Sequence, residues 1–258
     1  MSGLPFWHID AFADGPFTGN PAGVIQLDRW RDEVELQRIA AEINLPATAF
    51  AVPAMGEADY EIRWFSPRGE IALCGHGTLA AGHALIGDGA SITFATQSAG
   101  LVQVVREAGQ LSLSLPMIEA LPQAVPEVVA LIGGFPIETL RHPHGYFILR
   151  YTDEAAVRAL SPDFAALARL GNVQISATAP GTHTDIVSRV FNAQSGEDAV
   201  TGSAHAVLTP YWAGKLGRDA FTAFQASPRG GFLSCRLEKD RTVLGGKCVA
   251  IVEGAFKL

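Results

Sequence analysis

Hydrophobic and polar residues alternate with period two along several short runs of the chain, the pattern of strands with one buried face. "YEIRWF" (60–65), "LVQVV" (101–105) and "LSLSL" (111–115) show it most clearly. The last two flank "REAGQ", which reads as a hairpin turn, and Pro116 ends the second strand because it has no N–H for a ladder. After Asp28 the period changes: Trp30, Val34, Ile39 and Ile43 return at helical intervals, with Asp28 as the N-cap. This helix is amphipathic and belongs on an outer face. "LCGHGTLAAGHALIG" (73–87) carries no Asp, Glu, Lys or Arg on any side, so it predicts a helix buried in an interior.

The buried helix is preceded by a pattern that returns later in the chain. "GEIALCGHGT" (69–78) resembles "GEDAVTGSAH" (196–205): Gly69 and Gly196, Glu70 and Glu197, Ala72 and Ala199, and Gly75 and Gly202 coincide, and Leu73 faces Val200. Upstream, "RWF" (63–65) meets "RVF" (189–191) with a one-residue slip. The offset is close to half the length of the chain, so the pattern predicts a duplication into two like domains, 1–116 and 117–258, with the last strand able to return to the first. The proline-rich "LPMIEALPQAVPEVV" (115–129) is the connection. A cleft between two such domains is the expected place for a small-molecule site. Two glycine-led helix starts there would offer backbone N–H groups and positive dipole ends to a carboxylate.

Composition narrows the classes. A chain of 258 residues, 48% hydrophobic and 17% charged, buries a full core. The net charge of -7 and the lack of a basic stripe argue against nucleic-acid or anionic-membrane partners. No run reaches the roughly 20 apolar residues of a membrane helix, and the start of the sequence lacks a signal-peptide pattern, so a soluble cytoplasmic protein is expected. Cys74, Cys235 and Cys248 have no CxxC spacing, so neither a disulfide framework nor a zinc or other metal site is indicated. "GPFTGNPAGV" (15–24) lacks the spacing of a dinucleotide fingerprint and the lysine of a phosphate loop, and reads as a shaped turn. No cofactor is implied.

The chemistry-bearing residues gather at the two glycine turns. Glu197 and Asp198 are neighbours, so in an extended segment only one enters a cleft. Glu197 has the repeat partner Glu70 and reads as structural; Asp198 has the apolar partner Ile71 and is the candidate cleft carboxylate, with a helix-capping acid as the other reading. His76, at the first turn, is placed to pass a proton near neutral pH or to bond the backbone of a core. His83 and His205 lie deeper in their helices and read as core histidines. Cys74 is at a helix start, which lowers a thiol pKa, but reads as a small buried hydrophobe.

Taken together, "IDAFADGPFTGNPAGV" (9–24), "NLPATAF" (44–50), "RWFSPRGEIALCGHGT" (63–78), "GEDAVTGSAH" (196–205) and "LGGKCVAIVEGAF" (244–256) resemble the PhzF-like phenazine-biosynthesis proteins, relatives of diaminopimelate epimerase, over nearly the whole length. The resemblance implies an α+β fold of two similar domains related by a pseudo-twofold. Each would be a curved, mostly antiparallel sheet wrapped around a central helix, and the protein a homodimer. It implies a cofactor-free isomerisation in which a carboxylate moves a proton on a small carboxylate-bearing substrate. By motif, Asp198 and His76 take active-site positions, and Gly75, Gly202, Ser203 and Thr48 contact substrate. The family's general acid/base is a glutamate within "NLPATAF", where this chain has Ala47. Glu42 stands five residues upstream and is poorly placed to replace it. Three accounts of Ala47 stay open: a different acid/base reaction, ligand binding without turnover on the same fold, or a substitution introduced to trap a complex. The roles of His142 and His144 in "RHPHGYF" (141–147) are open between surface, core and site.

Overall fold

The computed structural model describes residues 3–258, and the alternating runs in it are strands. Contacts divide the chain into two units, one made of the chain up to Ser114 together with Gly245–Leu258, the other of Leu115–Leu244. The first holds β1 (Leu4–Ala11), β2 (Asn20–Gln26), α1 (Glu33–Ile43), β3 (Ala47–Pro53), β4 (Tyr60–Ser66), β5 (Gly69–Ile71), α2 (Gly75–Leu85), β6 (Ser91–Thr96), β7 (Leu101–Glu107) and β8 (Gln110–Pro116). The second holds β9 (Leu121–Pro122), α3 (Pro126–Ile132), β10 (Glu138–His142), β11 (Tyr146–Arg150), α4 (Glu154–Arg158), α5 (Phe164–Leu167), β12 (Gln174–Pro180), β13 (Ile186–Asn192), β14 (Gly196–Asp198), α6 (Gly202–Leu216), β15 (Ala220–Gln225), β16 (Gly231–Glu238) and β17 (Arg241–Gly246). The final strand, β18 (Cys248–Phe256), pairs antiparallel with β1, so the end of the chain lies in the first unit. The boundary falls at Ser114/Leu115, two residues before the break read from the sequence.

The same succession of pairings occurs in both units. In the first, β1 pairs antiparallel with β18 and β2, β2 parallel with β3, β3 antiparallel with β4, β4 antiparallel with β5 and parallel with β6, and β6 antiparallel with β7. In the second, β10 pairs antiparallel with β9 and β11, β11 parallel with β12, β12 antiparallel with β13, β13 antiparallel with β14 and parallel with β15, and β15 antiparallel with β16. Antiparallel pairs dominate, as the alternating pattern requires.

Each unit has its apolar helix inside. α2 buries Gly77 to Gly82 and touches β1, β2, β3, β7 and β18, strands from across its sheet. The glycines permit this closeness: a Cβ at Gly82 would sit 2.7 Å from Val104 Cγ1. α6 is buried from Ala204 through Thr209 and touches β11, β12 and β16. Pro210 lies within α6 and offers no N–H to the carbonyl of Ala206, which accepts instead from Thr242 Oγ1 at 3.4 Å.

α1 covers the opposite face of the first sheet with Leu36, Ile39 and Ala40, packed on Ile25, Phe50 and Phe65. Each such large side chain contributes about 1.5–3 kcal/mol by leaving water. The helix begins at Glu33 rather than after Asp28, because Asp32 accepts from the N–H of Val34 and takes the N-cap. Trp30 precedes the helix and packs against the same core from a loop. The "REAGQ" turn is made by Ala108 and Gly109, both at positive φ (47° and 77°), joining β7 to β8 as a tight hairpin.

Candidate active site

Both glycine turns are built by the same device, a short hairpin locked by an Arg–Glu pair. Arg63 donates from Nε and one Nη to the two oxygens of Glu70, both at 2.7 Å; Arg189 does the same to Glu197 at 2.7 and 2.8 Å. In each, the guanidinium also lies 5.1 Å over the phenyl ring two positions on, Phe65 or Phe191. Glu70 stands opposite Phe65 in the first hairpin and Glu197 opposite Phe191 in the second. The repeated glutamate is therefore a clamp that fixes the approach to each helix, and Arg63 is held more strongly protonated by its bond to Glu70.

In the first unit, Cys74 is the N-cap of α2 in extended conformation, without a side-chain cap, and its carbonyl accepts from Thr78 Oγ1 at 2.7 Å. Its Sγ lies 3.5 Å from Nδ1 of His76, itself half-buried on the first turn. Gly77 is forced by packing, since a Cβ would lie 2.9 Å from Trp64 Cδ1 and 3.0 Å from Cys74 Sγ. The indole Nε1 of Trp64 is buried there without a hydrogen-bond partner.

Ala47 and Thr48 open β3 and are both fully buried. As neighbours on a strand they point to opposite faces. Thr48 Oγ1 lies 3.1 Å from where a Cβ on Gly23 would sit, beside Ile43 at the end of α1. Thr48 therefore belongs to the face under α1, and Ala47 to the face of α2; the two do not line one surface.

In the second unit, Asp198 ends β14 half-buried, its Oδ1 accepting from the N–H of Ala199 at 2.9 Å and its Oδ2 from Thr201 Oγ1 at 2.6 Å. These bonds brace the turn and reach no N–H of α6, whose N-cap is Thr201. Gln225, fully buried, completes the brace: its Oε1 accepts from the N–H of Thr201 at 2.9 Å and its Nε2 donates to the carbonyl of Asp198 at 2.8 Å. Gly202 opens α6, and Ser203 Oγ donates to Gln174 Oε1 at 2.9 Å. Neither glutamine stands out in the sequence, because neither belongs to the repeated motif.

The other histidines divide by environment. His205 is fully buried, its Nδ1 bonded to the carbonyl of Thr201 at 2.8 Å, so that Nε2 accepts from Ser188 Oγ at 3.3 Å. Burial pushes it down to about 4, and it is a neutral core residue. Burial also lowers His83. His142 and His144 form the β10–β11 turn, with His142 Nδ1 accepting from the N–H of His144 at 3.3 Å. The thiols of Cys235 and Cys248 are pushed up to about 12 by burial.

One pairing plan thus recurs in the two units, each around an apolar helix. The chain belongs to the phenazine biosynthesis-like (PhzC-PhzF) family, which it matches over residues 9–254. A protein of Pseudomonas aeruginosa named as an uncharacterized isomerase is 44% identical over 264 residues, covering 99% of each chain. The crystal structure of a PhzF-family protein from Enterococcus faecalis matches with a TM-score of 0.90 and 38% identity, covering 100% of both chains. The fold alone extends further, to a hydroxyproline epimerase of Agrobacterium vitis at a TM-score of 0.64 and 11% identity. Among the described residues, no helix is long and apolar enough to cross a membrane.

Proposed function

We propose that this protein is a cofactor-independent isomerase or epimerase of the PhzF type that binds a small carboxylate-bearing substrate, and that its proton transfer is impaired at Ala47. Asp198 and His76 are its candidate proton-handling groups, and Gly75, Gly202 and Ser203 its candidate substrate-binding residues. A homodimer in the cytoplasm completes the reading.

The observation that carries it is the contact between Gln174 and Ser203. Strand registers make Gln174 the counterpart of Ala47, since Thr48 pairs with Phe65 as Ile175 pairs with Phe191, and the helix starts make Ser203 the counterpart of His76. In the second unit these positions touch at 2.9 Å. By the same geometry a glutamate at 47 would reach His76, where a proton shuttle is needed; a methyl group there cannot carry a proton. Loss of a general acid/base costs about 10²- to 10⁴-fold in rate.

Ala47 has no group that binds or releases a proton, which favours as a second reading a protein that binds its ligand without turnover. Solvent-deuterium incorporation into dihydro-hydroxyanthranilate and a panel of small α-substituted acids separates the two, using the protein beside Asp198→Asn. Slow incorporation abolished by Asp198→Asn supports the enzyme; ligand bound with no incorporation by either protein supports the binding module.

A further inference from the structure

Strand β4 changes partner at Arg63. It pairs with β6 as far as Ile62, opposite Thr96, and with β5 from Trp64, opposite Ile71. In the second unit β13 does the same around Arg189, with Ser188 opposite Gln225 and Val190 opposite Asp198. Thr96 is therefore the counterpart of Gln225. Two matching bonds fix this correspondence: Ser98 Oγ donates to the carbonyl of Ala72 at 3.0 Å and Ser227 Oγ to that of Ala199 at 2.7 Å, each serine two residues beyond the matched position.

The two units differ in what occupies the split between these strands. Gln225 puts its amide there, donating to the carbonyl of Asp198 and accepting from the N–H of Thr201. Thr96 has no amide, and its hydroxyl serves its own hairpin, donating to the carbonyl of Gly100 at 2.9 Å and accepting from the N–H of Ala99 at 2.8 Å. At the split of the first unit lies a cavity of about 270 Å³, lined by Ile62, Trp64, Ile71, Ala72, Gln97 and Ser98 together with the Arg63–Glu70 pair. Ile71 is the counterpart of Asp198, whose carbonyl receives the Gln225 amide.

The lining specifies the kind of molecule it suits. Its volume is close to the roughly 300 Å³ at which small-ligand pockets begin, so it admits a fragment-sized molecule. Ala72, Gln97 and Ser98 are exposed and open it to solvent, while Ile62 and Ile71 supply apolar wall. Arg63 and Glu70 are bonded to each other, so the two charges on the lining are already paired, and a charged ligand would lose its hydration without gaining a partner. Trp64 has its Nε1 buried without a hydrogen-bond partner, a donor left for an acceptor.

We propose that this cavity is a ligand site of its own, which takes a small uncharged carboxamide with an apolar body. The NH₂ of the ligand donates to the carbonyl of Ile71 and its oxygen accepts from Trp64 Nε1, so its amide does in the first unit what the side chain of Gln225 does in the second. The apolar body lies against Ile62 and Ala72. Ala47, Thr48, Gly75 and His76 do not line the cavity, and the site is independent of the isomerase reading.

NMR titration with benzamide and with benzoate, alike in shape and different in charge, tests the proposal through the indole N–H signal of Trp64, assigned by its loss in Trp64→Phe. Benzamide is expected to shift this signal saturably, and benzoate, which offers Ile71 no donor, to leave it in place. Two substitutions fill the cavity: Ala72→Phe at its exposed mouth, and Thr96→Gln, which supplies from the chain the amide that the ligand brings. Each is expected to weaken benzamide binding at least about 10-fold, or about 1.4 kcal/mol. Ala72→Phe decides alone if Thr96→Gln, which gives up two turn bonds, does not fold. A Trp64 signal that benzamide does not move, or that benzoate moves equally, would overturn the proposal, as would unchanged benzamide affinity in either folded variant.

Discussion

Replacing Glu197 by Gln removes half of the second clamp and leaves the guanidinium of Arg189 without its bidentate partner. Both side chains are only 13% exposed, so water compensates poorly. Arg189 keeps its bonds to the carbonyls of Leu160 at 2.7 Å and Arg158 at 3.2 Å, and these limit the loss. Breaking a fully buried pair costs about 3–5 kcal/mol, and the retained carbonyl bonds and residual exposure bring the expectation to about 2–3 kcal/mol. For a chain of this size that lowers the unfolding temperature by about 5–10 °C. In the first unit Glu70→Gln should cost less, about 1 kcal/mol, because Glu70 is 29% exposed and Arg63 retains Glu33 at 3.1 Å. Thermal and urea unfolding of both variants followed by circular dichroism measures the two effects. An unfolding temperature for Glu197→Gln within one degree of the unaltered protein would refute the structural role of the repeated glutamate. So would an effect larger at Glu70 than at Glu197.

Two further predictions concern stability. His205 takes its proton near 6.5 when unfolded and only near 4 when folded, so between these values the unfolded chain binds more protons. Stability is therefore full above pH 6.5 and declines as pH falls toward 4, by about 3 kcal/mol; urea titrations across this range should show the decline, and His205→Gln should flatten it. Gly77→Ala places a methyl 2.9 Å from Trp64 Cδ1 and should destabilise by about 1–3 kcal/mol in the same assays, despite alanine's better helix propensity. An unchanged midpoint for Gly77→Ala would mean that Trp64 moves freely.

Much of this architecture was legible in the chain because it depends on local pattern. Alternation in "YEIRWF" marks a strand because Ile62 and Trp64 are buried while Glu61 is exposed. The absence of charge around α2 marks an interior helix for the same physical reason. Glu70 and Glu197 read as structural because a residue kept in both halves serves what both halves share, and the two clamps are that shared part. Pattern failed where a three-dimensional partner decides. Asp28 and Asp32 are equivalent as sequence signals, yet only Asp32 is positioned to accept from Val34. Thr48 shares a motif with Ala47, but the pleat of β3 sends it beneath α1. Gln174 and Gln225 acquire their roles from α6 and from the turn before it, 29 and 24 residues distant in sequence, and no local signal carries such a pairing.

On the proposed reading the protein lacks its proton carrier at Ala47. The most direct measurement is mass-spectrometric deuterium incorporation into dihydro-hydroxyanthranilate in D₂O, comparing the protein with Ala47→Glu. Incorporation by the glutamate variant is expected to be at least about 10²-fold faster than by the unaltered protein. Equal rates in the two proteins would contradict it, placing the proton transfer on groups that position 47 does not serve.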